Sequence, residues 1–267
     1  MFPSKLKSKT NHPCTEVNTA LDGDKRPEES RMASNIIKED VQLPKDYQKC
    51  LAFVLYNVFT KEECEEYINI AEKKGFEAAL LNAGGDRQVL VTDVRNSSRC
   101  IWDTKEEVDK IWKRIKEYVP DVWCHREVMG LNERLRILRY DPGEYFRPHC
   151  DGMYKRDNGE TSYVTVQIYL NEAPSLFLNM IILYYMKDGF EGGSTTFIGD
   201  HSDERVEVVP KTGSVLVFEH DHPILHEGSE LIAGRKYAIR TDVMYSSKIS
   251  KSKKATDSET TASESDT

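Results

Sequence analysis

An imidazole and a carboxylate stand two residues apart in His149-Cys150-Asp151, a second imidazole stands at His226, and Lys236 lies ten residues beyond it. In an extended strand, residues i and i+2 project from one face. His149 and Asp151 therefore point together, while Cys150 points away and reads as packing. With His226 they form two imidazoles and one carboxylate on one side of a metal. With its remaining positions open, that donor set suits non-haem Fe(II) and leaves room for O2 and a chelating cosubstrate.

The elements that must hold these groups are legible upstream and downstream. LAFVLYNVF (51–59) is a strand-like apolar run, followed by Thr60 and Glu63 in the spacing of a capping box. Ile68 and Ala71 continue a helix that Gly75 can end. A second helix opens at Thr104 with Glu107, carries Val108, Ile111, Trp112 and Ile115, and stops near Pro120. From about residue 133 the apolar period changes to two. Val164, Val166, Ile168 and Leu170 share one face of a strand, and Tyr163, Thr165, Gln167 and Tyr169 the other. A polar inner face in a small barrel predicts a ligand pocket rather than a filled core. Further strands are expected at 206–209, 215–218 and 237–245, separated by turn signals. Helices first and strands afterwards predict an α+β domain whose β part is a double-sheet jelly roll.

The chain has 267 residues, enough for one large domain or two small ones. Residues 1–45 read as a flexible leader and 248–267 as a disordered, Ser/Thr-rich tail, which leaves 46–247 as the domain. Within it, an apolar segment at about 173–189 replaces the expected polar hairpin loop. An extra strand, a lid, a partner-binding patch and a splicing irregularity all remain open readings for it. A net charge of -8 argues against nonspecific nucleic-acid binding. No apolar run is long enough to span a bilayer, and the N-terminus lacks the apolar region of a secretory signal. Six scattered cysteines without a paired motif read as free thiols. These features together predict a cytoplasmic protein. The residues do not specify an oligomeric state.

Several motifs then occur in order: Tyr140-Asp-Pro-Gly-Glu-Tyr-Phe-Arg-Pro-His149-Cys-Asp151, Gly192-Gly-Ser-Thr-Thr-Phe197, Lys211-Thr-Gly-Ser-Val-Leu-Val-Phe218, and His226 through Lys236-Tyr-Ala-Ile239. They resemble the Fe(II)/2-oxoglutarate dioxygenases of the prolyl 4-hydroxylase alpha-subunit type, over about residues 50–246. The resemblance implies a double-stranded β-helix with N-terminal supporting helices. It also implies Fe(2+), 2-oxoglutarate and O2 as cosubstrates, and L-ascorbate as reductant. By position, His149, Asp151 and His226 would be the iron ligands and Lys236 would bind the distal carboxylate of 2-oxoglutarate. A lysine ammonium inside a barrel needs an anion, which agrees with that role. Tyr140 and Tyr169 would flank the cosubstrate, and Arg95-Asn-Ser97 would lie near the substrate mouth.

Rivals exist for two of these positions. His220 and His222 compete with His226, although the ten-residue step to Lys236 favours the latter. Arg235 and Arg240 compete with Lys236 as the anion clamp, and Arg240 shares its strand face. The resemblance departs from collagen-type enzymes in the final strand, where a Trp-rich segment is replaced by Tyr-Ala-Ile-Arg-Thr-Asp-Val-Met-Tyr. The expected activity is hydroxylation of a protein side chain such as prolyl, with release of succinate and CO2. The alternatives are the same chemistry on a small molecule, a non-catalytic binding module, and a zinc hydrolase, which gives no reason for the lysine. The expected partner is a peptide or small-molecule substrate, with no nucleic acid.

Overall fold

The computed structural model of the chain describes residues 36–82, 88–172 and 189–249. Most of the expected leader, the expected tail and the apolar segment at 173–188 lie outside those residues. One part of the leader reading is corrected. Ile37–Asp40 forms an edge strand paired antiparallel to Ala52–Tyr56, so ordered structure begins before residue 46. Its side chains are exposed, which is why hydrophobic pattern gave no sign of it; backbone pairing holds it instead.

Two antiparallel sheets stack face to face. The larger runs in the order Ile37–Asp40, Ala52–Tyr56, Val215–Glu219, Thr161–Tyr169, Lys236–Ile249, Arg134–Tyr140, Ser98–Asp103 and Glu77–Ala78. Arg126–Leu131 pairs with the far half of the long strand Lys236–Ile249. The smaller sheet runs Phe146–His149, His226–Gly228, Thr195–Ile198 and Arg205–Val208. Ser98–Asp103 was not expected between the two helices, yet it pairs along its whole length with Arg134–Tyr140. Cys100 and Trp102 face the helices from this strand.

The two helices cover the outer face of the larger sheet. The first, Lys61–Lys74, starts with the full capping box: Glu63 N–H donates to the Thr60 hydroxyl at 3.2 Å, and the Glu63 carboxylate accepts from Thr60 N–H at 2.9 Å. The second, Lys105–Ile115, is capped by Thr104 alone. Cys64, Tyr67, Ala71, Val108, Ile111 and Ile115 from the helices meet Phe53, Leu55, Leu135, Ile137, Val164, Val166, Ile168 and Ile239 from the sheet in one buried cluster. A second cluster lies between the sheets, where Phe197 and Val208 meet Tyr169, Leu216, Phe218 and Ala238.

Period-two alternation thus divides the larger sheet into an apolar outer face and a partly polar inner face. The expected division of the strand 161–169 holds for 164–170. Tyr163 departs from it, because a register shift between Ser162 and Val164 turns its ring onto Tyr245 on the helix side. Ile168 has no exposed surface and sits on the outer face. Ile168→Ala is expected to lower unfolding free energy by about 3 kcal/mol, read from urea titration, with the inner-face cavity unchanged. A loss well below 1 kcal/mol would mean that the outer layer is not close-packed.

Candidate active site

The site forms where the smaller sheet meets the inner face of the larger one. His149 and His226 are cross-strand partners on adjacent antiparallel strands, which brings their ring centroids to 4.4 Å. Asp151 follows just past the end of its strand. Its Oδ1 lies 3.8 Å from His149 Nε2 and its Oδ2 lies 3.8 Å from His226 Nε2. One ligand atom from each of the three falls within 4.8 Å of the others, a grouping able to hold a metal ion. Cys150 is exposed and borders the groove outside the triad.

Both imidazoles are oriented by the backbone. His149 Nδ1 lies 2.8 Å from the carbonyl of Arg147, and His226 Nδ1 lies 2.9 Å from the carbonyl of Ile224. A carbonyl accepts only, so each Nδ1 carries the proton and each Nε2 presents a lone pair toward Asp151. The Phe146 ring stacks on His149 with centroids 3.4 Å apart, and Phe218 meets His226 edge-on at 4.9 Å. Burial, then the neighbouring His226, pushes His149 down to about 3, which keeps that ring neutral near pH 7. For Asp151, burial pushes upward, but Arg240 and the adjacent imidazoles outweigh it and hold the carboxyl well below its usual range. His149 and Asp151 are therefore in the protonation states a divalent metal needs.

Asp151 is also held from behind. Its Oδ2 accepts from the Thr165 hydroxyl at 2.8 Å and from Arg240 Nη2 at 3.0 Å. Arg240 spends its charge on Asp151 and Asp242, and Arg235 pairs with Asp141. Both rivals to Lys236 are thus committed elsewhere.

Lys236 reaches the same cavity from the first residue of its strand, opposite Tyr140. It is 3% exposed, and its Nζ donates to the Gly193 carbonyl at 2.6 Å. The left-handed Gly193 (φ 65°) lets the lysine stem pass, since a Cβ there would meet Lys236 Cδ at 3.2 Å and Leu231 at 3.0 Å. The ammonium lies 5.2 Å from the Tyr140 ring centre and 5.6 Å from that of Tyr169. Burial alone pulls Lys236 down to about 7, and among the described residues no carboxylate pairs with it. Tyr140 lines the cavity, whereas the Tyr169 hydroxyl is turned to donate to Thr195 at 2.8 Å.

Sequence reasoning gave Thr195 and Gln167 no site role, offered His220 only as a rival to His226, and placed Arg95 near the substrate mouth. Thr195 lies inside the Gly-Gly-Ser-Thr-Thr-Phe motif and Gln167 on the polar strand face, and both line the cavity. Gln167 Nε2 donates to the Thr195 hydroxyl at 2.9 Å. His220, expected in a loop, is 4% exposed and bonded on both ring nitrogens; its pattern in the chain gave no sign of this. Arg95 stacks on Phe146 at 4.5 Å, donates to Ser97 and lines both the cavity and the groove outside it. His222 stays exposed, beside Glu219.

Residues 135–241 match the model of the 2OG-Fe(II) oxygenase superfamily. That stretch makes the chain similar to the prolyl 4-hydroxylase-like 2OG-Fe(II) oxygenases. A probable prolyl 4-hydroxylase 3 of Arabidopsis thaliana is 24% identical over 212 residues, covering 70% of this chain and 67% of the relative. A putative prolyl 4-hydroxylase of Acanthamoeba polyphaga mimivirus is 27% identical over 202 residues, covering 69% of this chain and 70% of the relative. This chain spans about two thirds of the length of the Arabidopsis relatives. Among solved structures, the Trichoplax adhaerens prolyl hydroxylase in complex with a hypoxia inducible factor oxygen degradation domain peptide fragment has a TM-score of 0.52 at 19% identity, over 80% of this chain and 88% of that one. The viral collagen prolyl hydroxylase from Paramecium Bursaria Chlorella virus-1, as its 2OG complex, has a TM-score of 0.50 at 22% identity, over 72% of this chain and 95% of that one. The two-sheet architecture is therefore that of the 2OG oxygenases. Among the described residues, no helix is long and apolar enough to cross a membrane.

The buried lysine generates a stability prediction. Folded Lys236 titrates at about 7 while the unfolded residue keeps the usual lysine range. Between those values the unfolded state binds more protons, so stability rises with pH across the window and is lowest below it. The half-buried Cys50 and the buried Cys64, both pushed up to about 12 chiefly by desolvation, oppose this trend only at higher pH. In urea unfolding of the metal-free protein from pH 7 to about pH 8.5, the parent is expected to gain stability more steeply than Lys236→Met. Equal slopes would contradict the burial of an unpaired ammonium.

Proposed function

We propose that His149, Asp151 and His226 bind Fe(2+), that Lys236 binds the distal carboxylate of 2-oxoglutarate, and that the domain hydroxylates a prolyl residue of a peptide. The fold this reading requires is the double-stranded β-helix, with the larger and smaller sheets as its two walls and the two helices as its outer support. The observation that carries it is the pairing of the metal-binding group with a buried ammonium that no carboxylate neutralises among the described residues, in one cavity. A zinc hydrolase would need the first and would be destabilised by the second. A dicarboxylate cosubstrate uses both.

The residues present fit the implied metal. Two imidazoles oriented through Nδ1 and one ionised carboxylate make the two-His, one-carboxylate set of non-haem iron, which leaves coordination positions open. Bound iron supplies the coupling of O2 reduction and 2-oxoglutarate decarboxylation to hydroxylation of a C–H bond, with L-ascorbate as the supporting reductant. The chain's own part is binding and orientation. Lys236 offers its remaining N–H groups to a carboxylate. Thr195 accepts from both Gln167 and Tyr169, so its own hydroxyl proton is free to be donated to the same carboxylate. Tyr140 adds a phenol on the opposite wall. Tyr169 acts one step back, by setting the direction of Thr195.

The peptide substrate is inferred from the open groove outside the triad, bordered by Leu80, Leu81, Arg95 and Arg134, and from the prolyl hydroxylase relatives. Arg95 would meet substrate at the mouth of the cavity.

Purified protein with Fe(2+), ascorbate and 2-oxoglutarate is expected to form succinate in the presence of a proline-containing peptide, and Asp151→Ala is expected to form none. Lys236→Ala is expected to raise the 2-oxoglutarate requirement about 10- to 100-fold, the value of one charge-assisted hydrogen bond, with metal still bound. Equal loss of metal in Lys236→Ala would overturn the role of the lysine. Metal binding without succinate across proline peptide libraries would favour a binding module instead.

A further inference from the structure

His220 is the one buried histidine that the proposed site leaves unused. Its ring joins two hydroxyls: Nδ1 lies 2.9 Å from Thr165 Oγ1 and Nε2 lies 3.1 Å from Ser162 Oγ. Thr165 in turn donates to Asp151 Oδ2 at 2.8 Å, and Ser162 accepts from the backbone N–H of Tyr154 at 2.8 Å. These five groups form a continuous chain running inward from the Tyr154 backbone to the carboxylate.

The direction of this chain is forced from its inner end. The Asp151 carboxylate is ionised and can only accept, so the single proton of Thr165 goes to it. Thr165 must then accept from His220, which requires the ring proton on Nδ1. The neutral ring has a lone pair at Nε2, and Ser162 donates to it. Arg240 Nη2 lies 3.4 Å from Thr165 Oγ1 and 3.0 Å from Asp151 Oδ2, adding a second donor to each. Oδ2 is thereby loaded with two donors. Oδ1, 3.8 Å from His149 Nε2, is left as the oxygen free to meet a metal.

We propose that His220 is a positioning residue for the metal-binding carboxylate, acting through the Thr165 hydroxyl to hold Asp151 so that it presents one oxygen to the metal. This rests on the assignment of Asp151 as a metal ligand. His220 is thus no rival to His226; it belongs to the layer behind the ligands, where hydrogen bonds orient the donor atoms. Removing the Nδ1–H donor frees Thr165 to turn its proton elsewhere, and the carboxylate then loses a donor that fixed its rotation.

The test is Mn(II) titration of the full metal-free chain, followed by electron paramagnetic resonance of the free ion, with thermal unfolding of each metal-free variant alongside. Thr165→Val and His220→Leu are each expected to weaken Mn(II) binding about 10- to 100-fold. Thr165→Ser keeps the hydroxyl and His220→Asn keeps a donor near Nδ1, so both are expected to recover most of that loss. Because His220 acts only through Thr165, the double variant Thr165→Val, His220→Leu should bind no more weakly than Thr165→Val alone. Additive losses, failure of Thr165→Ser and His220→Asn to recover affinity, or parent-like affinity in Thr165→Val would each overturn the proposal. Should His220→Leu not fold, the comparison of His220→Asn with Thr165→Val decides it. A parent chain that binds no Mn(II) would instead defeat the reading of Asp151 as a ligand.

Discussion

The site depends on one interaction, the ionised Asp151 carboxylate held among two imidazoles, a guanidinium and a hydroxyl with little exposure to water. A buried carboxylate is costly unless it is paired and hydrogen-bonded. Every neighbour of Asp151 answers that requirement. The cross-strand register of His149 and His226 supplies the imidazoles on one side. The long strand beginning at Lys236 supplies Arg240 on the other, and the strand 161–169 supplies Thr165. Shifting either of the two larger-sheet strands by one residue would turn its inner-face groups into the apolar layer beneath the helices.

That layering explains how a polar cavity can exist in a stable domain. The outer face of the larger sheet and the two helices bury a continuous apolar cluster, and a second cluster closes the space between the sheets. Stability is concentrated there, where no polar group is needed. The inner face is then free to carry a lysine without a counter-ion, a threonine that accepts twice, and a carboxylate with two donors on one oxygen. The buried lysine disfavours folding taken alone, and its burial becomes favourable once a dicarboxylate is present.

Much of this was readable in the residues. The polar face of Thr165 and Gln167 and the shared face of Lys236 and Arg240 follow from a period of two; Asp151 joins His149 although the strand ends at His149. Helix starts at Thr60 and Thr104 follow from capping chemistry. Other features depend on contacts between distant strands. Ile37–Asp40 has exposed side chains, so only its partner strand reveals it. Ser98–Asp103 needs Arg134–Tyr140 beside it. His220 does lie in the loop just past Val215–Glu219, but its burial was not legible because its two partners come from strand 161–169, more than fifty positions earlier in the chain. Arg240 could be placed on the correct face but not given its partner, since Asp151 reaches it only through the stacking of the two sheets.

The account is tested most directly by calorimetric titration of 2-oxoglutarate into the metal-free full chain and into the chain loaded with Mn(II), without O2. One molecule bound per chain in the presence of metal, and none detectable without it, is the predicted result. It would show that the ion held by His149, Asp151 and His226 and the ammonium of Lys236 grip the same dicarboxylate. Binding that ignores the metal, or no binding in either form, would contradict the claim that these groups share one site.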